Sequence, residues 1–234
     1  LGKYERALEL LHGVVEVKTR TFGPNHVKTF SSLSMLAGVK LKLGRLEEAR
    51  ASFADLLERK TAVMGPAHQQ VLADRHNLAA VLLQLGKVQQ CLDLEKSVLD
   101  TFSDSTSSDH PQLQKSRLGY ADALCELGKF KEATKLYSSV YESRLRVQGK
   151  ESMGTQMSAA NLAFALYKGG EFERSEKLYK TSIRISEEEL GTENMDCFEI
   201  QFQLAGLYEA KGEIEKAKQL FESVLAKVLA AFAE

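Results

Sequence analysis

Apolar residues recur three or four positions apart in paired segments along the whole chain, which is the spacing of one face of an α-helix. A representative pair comprises Leu33, Leu36, Ala37, Val39 and Leu43, followed by Leu46, Ala49, Phe53, Leu56 and Leu57. A glycine separates the two segments, and the three prolines all lie at the joints between pairs. Because no helix interior is interrupted by proline, each pair predicts a helical hairpin.

Glycine marks a fixed period of 42 residues. One series consists of Gly2, Gly44, Gly86, Gly128, Gly170 and Gly212, and a second of Gly23, Gly65, Gly149 and Gly191, with Ser107 in the remaining place. A period in this range is typical of solenoids built from stacked supersecondary units. The pattern predicts a single B helix over 2–22 and then five pairs, in each of which the first helix is called A and the second B. The A helices are predicted near 27–42, 69–84, 111–126, 153–168 and 195–210.

The predicted architecture is therefore all-α, a right-handed α-solenoid of helix-turn-helix repeats with about eleven helices. We expect a single repeat domain over 1–234. It would contain a half repeat at 1–22 and units near 26–67, 68–109, 110–151, 152–193 and 194–234. Because residue 1 aligns with the interior of a unit, the chain is expected to be a fragment of a longer protein.

Two columns of small residues predict where the helices pack most closely. Ala37, Ala79, Ala121, Ala163 and Ala205 lie seven residues before successive glycines, and Ala7, Ala49, Cys91, Ala133, Ser175 and Ala217 lie five after. Small side chains on both helices of a hairpin let the axes approach. A column of large residues on the B helices is broken by Glu95, so the second B helix is expected to pack less well.

Histidine also recurs at the 42-residue period, as His26, His68 and His110. Equivalent positions in successive units are separated by at least about 10 Å, whereas zinc ligands lie about 2 Å from one ion. We therefore interpret these histidines as helix-start packing residues. Asn25 and Asp109 are the predicted N-caps of two A helices, and the polar run at 103–109 is a predicted mobile loop.

Charge and composition exclude several classes of function. Lys and Arg number 31 against 32 Asp and Glu, so the chain lacks the excess charge typical of nucleic-acid or membrane-surface binding. We expect neither a signal peptide nor a membrane-length apolar run, and three separated cysteines favour reduced thiols. We expect a cytoplasmic, non-enzymatic protein without a cofactor, metal site or catalytic residues.

The hairpin sequences resemble the tetratricopeptide repeat. The resemblance rests on the Leu–Ala pair of helix A and on Leu-Gly-Lys-Phe-Lys-Glu-Ala-Thr-Lys-Leu-Tyr at 127–137 and its counterpart at 169–179. The 42-residue unit, together with Phe-Gly-Pro-Asn-His at 22–26, is similar to the long variant of kinesin light chains. This resemblance implies A helices that line a concave groove, in which Asn77 and Asn161 bind the backbone of an extended peptide.

The expected function is that of a scaffold or adaptor that binds a partner peptide or helix in this groove. The asparagine column reads Met35, Asn77, Gly119, Asn161 and Gln203, and the neighbouring charges are mixed. The candidate groove residues are His76, Asn77, Leu118, Asp122, Asn161, Phe164, Tyr167, Lys168, Phe202 and Gln203. The alternatives are a structural module that self-associates end to end and a cargo adaptor of the kinesin-light-chain type.

Overall fold

The computed structural model describes residues 2–102, 107–191 and 194–231. Over these ranges the chain forms eleven α-helices and no strands. The helices are α1 (Gly2–Phe22), α2 (Val27–Lys42), α3 (Leu46–Met64), α4 (Gln69–Gln84), α5 (Val88–Leu99), α6 (Pro111–Glu126), α7 (Phe130–Gln148), α8 (Met153–Lys168), α9 (Phe172–Leu190), α10 (Met195–Ala210) and α11 (Ile214–Ala231). The predicted all-α fold of stacked hairpins is confirmed, with the five A helices at the predicted bounds.

Backbone contacts group the chain into two compact units, Leu1–Ala123 and Leu124–Glu234. In the first, α1 packs on α2, α2 on α3, α3 on α4 and α4 on α5. In the second, successive helices from α7 to α11 pack in the same order along the chain. The hairpins turn at glycines with positive φ, such as Gly44 at +73° and Gly128 at +71°, a conformation that residues with a Cβ rarely adopt.

The alanine column lies at the centre of the packed helices. Ala37, Ala79, Ala121, Ala163 and Ala205 are all fully buried, as predicted. In the second unit, Ala163 belongs to a core cluster with Tyr179, Leu204 and Ala217. Because the A and B helices approach closely here, the alanine column determines how the larger side chains around it pack.

The histidine column caps three of the A helices, α2, α4 and α6. The Nδ1 atoms of His26, His68 and His110 accept hydrogen bonds from the backbone N–H two residues later, at 3.1–3.2 Å. The prediction of Asn25 and Asp109 as N-caps is therefore wrong by one residue. An imidazole nitrogen here supplies the acceptor that an Asn or Asp side chain supplies at other N-caps. The predicted loop at 103–109 lies partly outside the described residues.

Cations on three B helices donate to the A helix that follows. Lys18 Nζ lies 2.7 Å from Ser32 Oγ, and Arg144 Nη1 lies 2.7 Å from Ser158 Oγ. At the equivalent place Lys60 Nζ lies 2.6 Å from Asp74 Oδ2, with both side chains almost completely buried. Because a buried charge without its partner is strongly destabilising, this pair fixes the register between α3 and α4.

Glu176 connects α9 to the end of α10. Its carboxylate lies 2.7 Å from Lys180 Nζ and 2.6 Å from Lys211 Nζ. Hydrogen bonds from Lys180 and Lys211 lower the pKa of Glu176 to about 2. The ionised form of this carboxylate therefore stabilises the second unit.

Ala163→Leu is expected to lower the free energy of unfolding by about 1–3 kcal/mol, because the larger side chain overpacks a helix–helix contact. Urea denaturation followed by circular dichroism measures this change. Ala54→Leu, at an exposed position of α3, is the control and should leave stability nearly unchanged. Equal stability of the two variants would contradict the role of the alanine column.

Glu176→Gln is expected to reduce the acid sensitivity of folding. The folded-state pKa of Glu176 is lowered from 4.5 to about 2, so its stabilisation is complete above about pH 4.5 and disappears as the pH falls toward 2. Melting temperatures at a series of pH values test this. The difference between wild type and variant should be largest at neutral pH and should vanish in acid, and a constant difference would contradict it.

Candidate partner-binding faces

Each A helix leaves one stripe of side chains uncovered by its neighbours. On α8 the partly exposed residues Met157, Asn161 and Phe164 and the exposed Lys168 follow helical spacing. The remaining sides of α8 are buried, including Ala159, Leu162 and Ala163. These stripes are the surfaces on which the sequence places the candidate site residues.

An aromatic group with a lysine occupies the α8 stripe. The rings of Phe164 and Tyr167 meet edge to face with centroids 5.9 Å apart. Lys168 Nζ lies 5.6 Å from the Phe164 ring centroid and 4.7 Å from that of Tyr167. Both rings are half-buried and pack against the core, so they form a preorganised surface that is only partly available to a partner.

Phe202 and Gln203 on α10 differ in how strongly they are held. Phe202 is 59% exposed, and its ring meets that of Phe221 on α11 at a centroid distance of 5.0 Å. Gln203 accepts a hydrogen bond from the hydroxyl of buried Tyr179 at 3.2 Å. Phe202 is therefore available for apolar contact, whereas the Gln203 amide oxygen has an internal partner.

Asn77 and Asn161 occupy equivalent, partly exposed positions on α4 and α8. Neither side chain forms a hydrogen bond within the part of the chain that the structure describes. An amide supplies donors and an acceptor in one plane, so each asparagine is available to pair with a peptide backbone.

The first unit brings His76 and Asp122 into a neighbourhood that also holds Glu95. His76 Nδ1 lies 2.6 Å from Glu95 Oε1, and the Glu95 side chain is fully buried while that of His76 is 24% exposed. Burial, together with the negative charges of Glu95 and Asp122, raises the pKa of the Cys91 thiol to about 12. Leu118, one helical turn before Asp122 on α6, is half-buried.

Glu95 has a role that the sequence analysis missed. It was expected only to weaken the packing of α5, whereas its side chain is fully buried. Its carboxylate lies against Gly119 of α6, where an added Cβ would collide with Oε1 and lie 2.9 Å from Cδ. The available signal was Glu95 itself, a charged residue in a column that otherwise carries leucine or aromatic residues.

The thiols of Cys125 and Cys91 lie in different surroundings. Cys125 Sγ lies 3.9 Å from the Tyr137 hydroxyl, and the neutral Cys91 thiol is buried. No group of three or more His, Cys, Asp or Glu side chains that could hold a metal lies within the described ranges. Among the same residues, no helix is both long and apolar enough to cross a membrane.

The chain belongs to the tetratricopeptide repeat family. The sequence profile of that repeat matches residues 1–62, 28–104 and 155–228. No curated protein matches the chain.

Solved structures share the fold. Residues covering 87% of this chain match 96% of a putative kinesin light chain from Podosopora anserina, described as having nearly identical TPR-like repeats, with a TM-score of 0.73 and 24% identity. BtubC (BKLC) from P. vanneervenii matches over 99% of this chain and 93% of its own, with a TM-score of 0.78 and 17% identity. A Rap protein complexed with competence and sporulation factor matches 94% of this chain and 58% of its own, with a TM-score of 0.76 and 14% identity.

Proposed function

We propose that this protein is a non-enzymatic interaction module that binds an extended segment of a partner protein along its A helices. The proposal rests on Asn77 and Asn161, which occupy the same position in two repeats. Their side-chain amides have no hydrogen-bond partner among the described residues. Members of this repeat family generally serve as protein-interaction scaffolds.

Apolar contacts would add affinity beside the second asparagine. Phe164 lies one helical turn from Asn161, and Phe202 on the adjacent A helix is more than half exposed. Partly buried aromatic residues bind with little loss of side-chain freedom, which is why such residues dominate interface energetics. The complex of the structurally similar Rap protein with competence and sporulation factor supports the use of this fold for partner binding.

Replacing Asn77, Asn161 and Phe164 together with alanine is expected to weaken binding of a partner peptide while leaving the helices intact. Each lost backbone hydrogen bond contributes roughly 0.5–1.5 kcal/mol, and the aromatic contact adds to that loss. A peptide selected from a displayed library against the wild-type chain, titrated by calorimetry, provides the measurement.

The control for this experiment replaces Gln90, Leu145 and Gln219, which are exposed residues of B helices, with alanine. It should bind the selected peptide as wild type does. Circular dichroism verifies that both triple variants retain their helices. Equal affinity of the A-helix variant and wild type would reject the proposed binding face.

Self-association is a second candidate, favoured by apolar side chains on α11. Leu225 and Leu229 are 58% and 61% exposed and lie one turn apart, beside half-buried Val228. On α1, Leu10, Val14 and Val17 are also exposed. Exposed apolar stripes of this kind are typical of helices that a further repeat would cover.

Leu225→Glu with Leu229→Glu is expected to abolish any concentration-dependent association, because two carboxylates would be brought into an apolar contact. Light scattering over a concentration series gives the mass of wild type and variant. Glu222→Gln, an exposed change on the same helix, is the control. A wild-type chain that stays monomeric throughout would reject this candidate.

A further inference from the structure

A cleft of about 390 Å³ lies between the B helices α9 and α11 of the second unit. This volume falls within the range of about 300–1,000 Å³ that is typical of small-ligand sites. Gln201 and Leu204 of α10, both almost fully buried, line its inner side. Ile183 of α9 and Leu220 of α11 also line it, so the cleft offers apolar surface from three helices.

The side-chain oxygen of Gln201 has no hydrogen-bond partner among the described residues. Its amide nitrogen donates to Glu187 Oε1 at 2.8 Å and lies 3.8 Å from Cys197 Sγ. Because an ionised carboxylate only accepts hydrogen bonds, turning the amide round would place two acceptors against each other. The oxygen is therefore the unsatisfied atom, and an acceptor buried without a donor is costly.

Glu187 is a second acceptor at the cleft. Its side chain is 30% exposed, and its one ion pair among the described residues is with Lys227, whose Nζ lies 3.8 Å from Oε1. That separation exceeds the limit of about 3.2 Å for an N–H···O hydrogen bond. Burial and then the charge of Glu187 raise the pKa of the Cys197 thiol, while Lys227 opposes them more weakly. The inner side of the cleft is thus electronegative.

Two further cations line the cleft, Lys180 and Arg184, and each is paired with a carboxylate of its own helix. Lys180 Nζ lies 2.7 Å from Glu176 Oε1, and Arg184 Nη1 lies 2.8 Å from Glu188 Oε1. Both cationic side chains are exposed, so solvent and salt screen their charges. They neither supply a donor to Gln201 nor exclude another cation from the cleft.

The position of Gln201 carries arginine in two other repeats. The column reads Leu33, Arg75, Arg117, Ala159 and Gln201, and the residues aligned with Glu187 are Thr19, Thr61, Ser103 and Leu145. The last repeat alone therefore combines an acid at one position with a glutamine at the other. It has acquired a carboxylate where the chain supplies no arginine.

We propose that this cleft binds the guanidinium group of an arginine side chain supplied by a partner protein. A guanidinium has five N–H donors in one plane, so it suits the Glu187 carboxylate and Gln201 Oε1 together. Its methylene stem would pack on Ile183 and Leu220. A lysine ammonium is more compact and more strongly hydrated, and a carboxylate side chain has no donor. The site lies on the B helices and does not depend on the asparagine face.

The probe is arginine with both backbone ends blocked, Nα-acetyl-arginine N-methylamide. The full chain, labelled with 13C at the isoleucine methyl groups, is titrated with this compound and with its lysine and citrulline analogues at matched ionic strength. Ile183→Val assigns the reporting resonance. We expect the arginine probe to shift the Ile183 methyl saturably, with an affinity severalfold above that of either analogue. Exposed Ile214, which does not line the cleft, should not respond.

Two variants test the assigned contacts. Glu187→Gln keeps an acceptor for Gln201 but removes the charge, and it should reduce the arginine response to that of citrulline. Glu189→Gln, the same change at an exposed position of α9, is the matched control and should bind as wild type does. Gln201→Arg places in the cleft the residue that two other repeats carry, and it should abolish the response. Circular dichroism verifies each fold, and Glu187→Gln remains informative if Gln201→Arg fails to fold.

Three outcomes would overturn the inference. The first is that the lysine or citrulline probe shifts Ile183 as strongly as the arginine probe. The second is that Ile183 and Ile214 respond equally, and the third is that folded Glu187→Gln or Gln201→Arg keeps the full response. None of these results depends on whether a peptide binds the A helices.

Discussion

The fold depends on the close approach of the two helices in each hairpin, which the buried alanines permit. Ala37, Ala79, Ala121, Ala163 and Ala205 are fully buried at the same place in every repeat. Because the facing positions of the B helices carry only alanine, cysteine or serine, the axes approach closely and the larger residues on either side interdigitate. The histidine caps then determine where α2, α4 and α6 begin, and the glycines determine where the hairpins turn. The surfaces available to a partner are those that this packing leaves uncovered.

Most of the architecture was predictable because the same sequence pattern recurs in five successive units. The period gave the bounds of the A helices, and the column composition identified the core. Individual contacts were less predictable. Asn25 and Asp109 have the usual composition of N-caps, yet the adjacent histidines cap the helices, because only the backbone geometry decides which of two neighbouring residues faces the free N–H groups. Phe164 and Tyr167 were expected as groove residues, and how far the core covers them depends on packing between helices.

Glu95 shows why a departure from a repeat is hard to interpret from sequence alone. From sequence alone, a single polar residue in an apolar column indicates poorer packing, and its actual role depends on the residues around it. Here the missing side chain of Gly119 provides space and His76 provides a partner, and these residues come from three different helices. The sequence placed His76 among the groove residues and Gly119 in the asparagine column, but the contact of Glu95 with both required distances between helices.

The buried contacts between B and A helices make the order of the repeats part of the folding information. Lys18, Lys60 and Arg144 occupy one column, but their partners are Ser32, Asp74 and Ser158. Exchanging α2 with α4 would place the Asp74 carboxylate against Lys18 and leave Lys60 facing a serine with no counter-charge. Although the backbone repeats, the buried side-chain partners differ from one junction to the next. Duplicating or exchanging whole hairpins would therefore destabilise the fold wherever it left a buried charge without its partner.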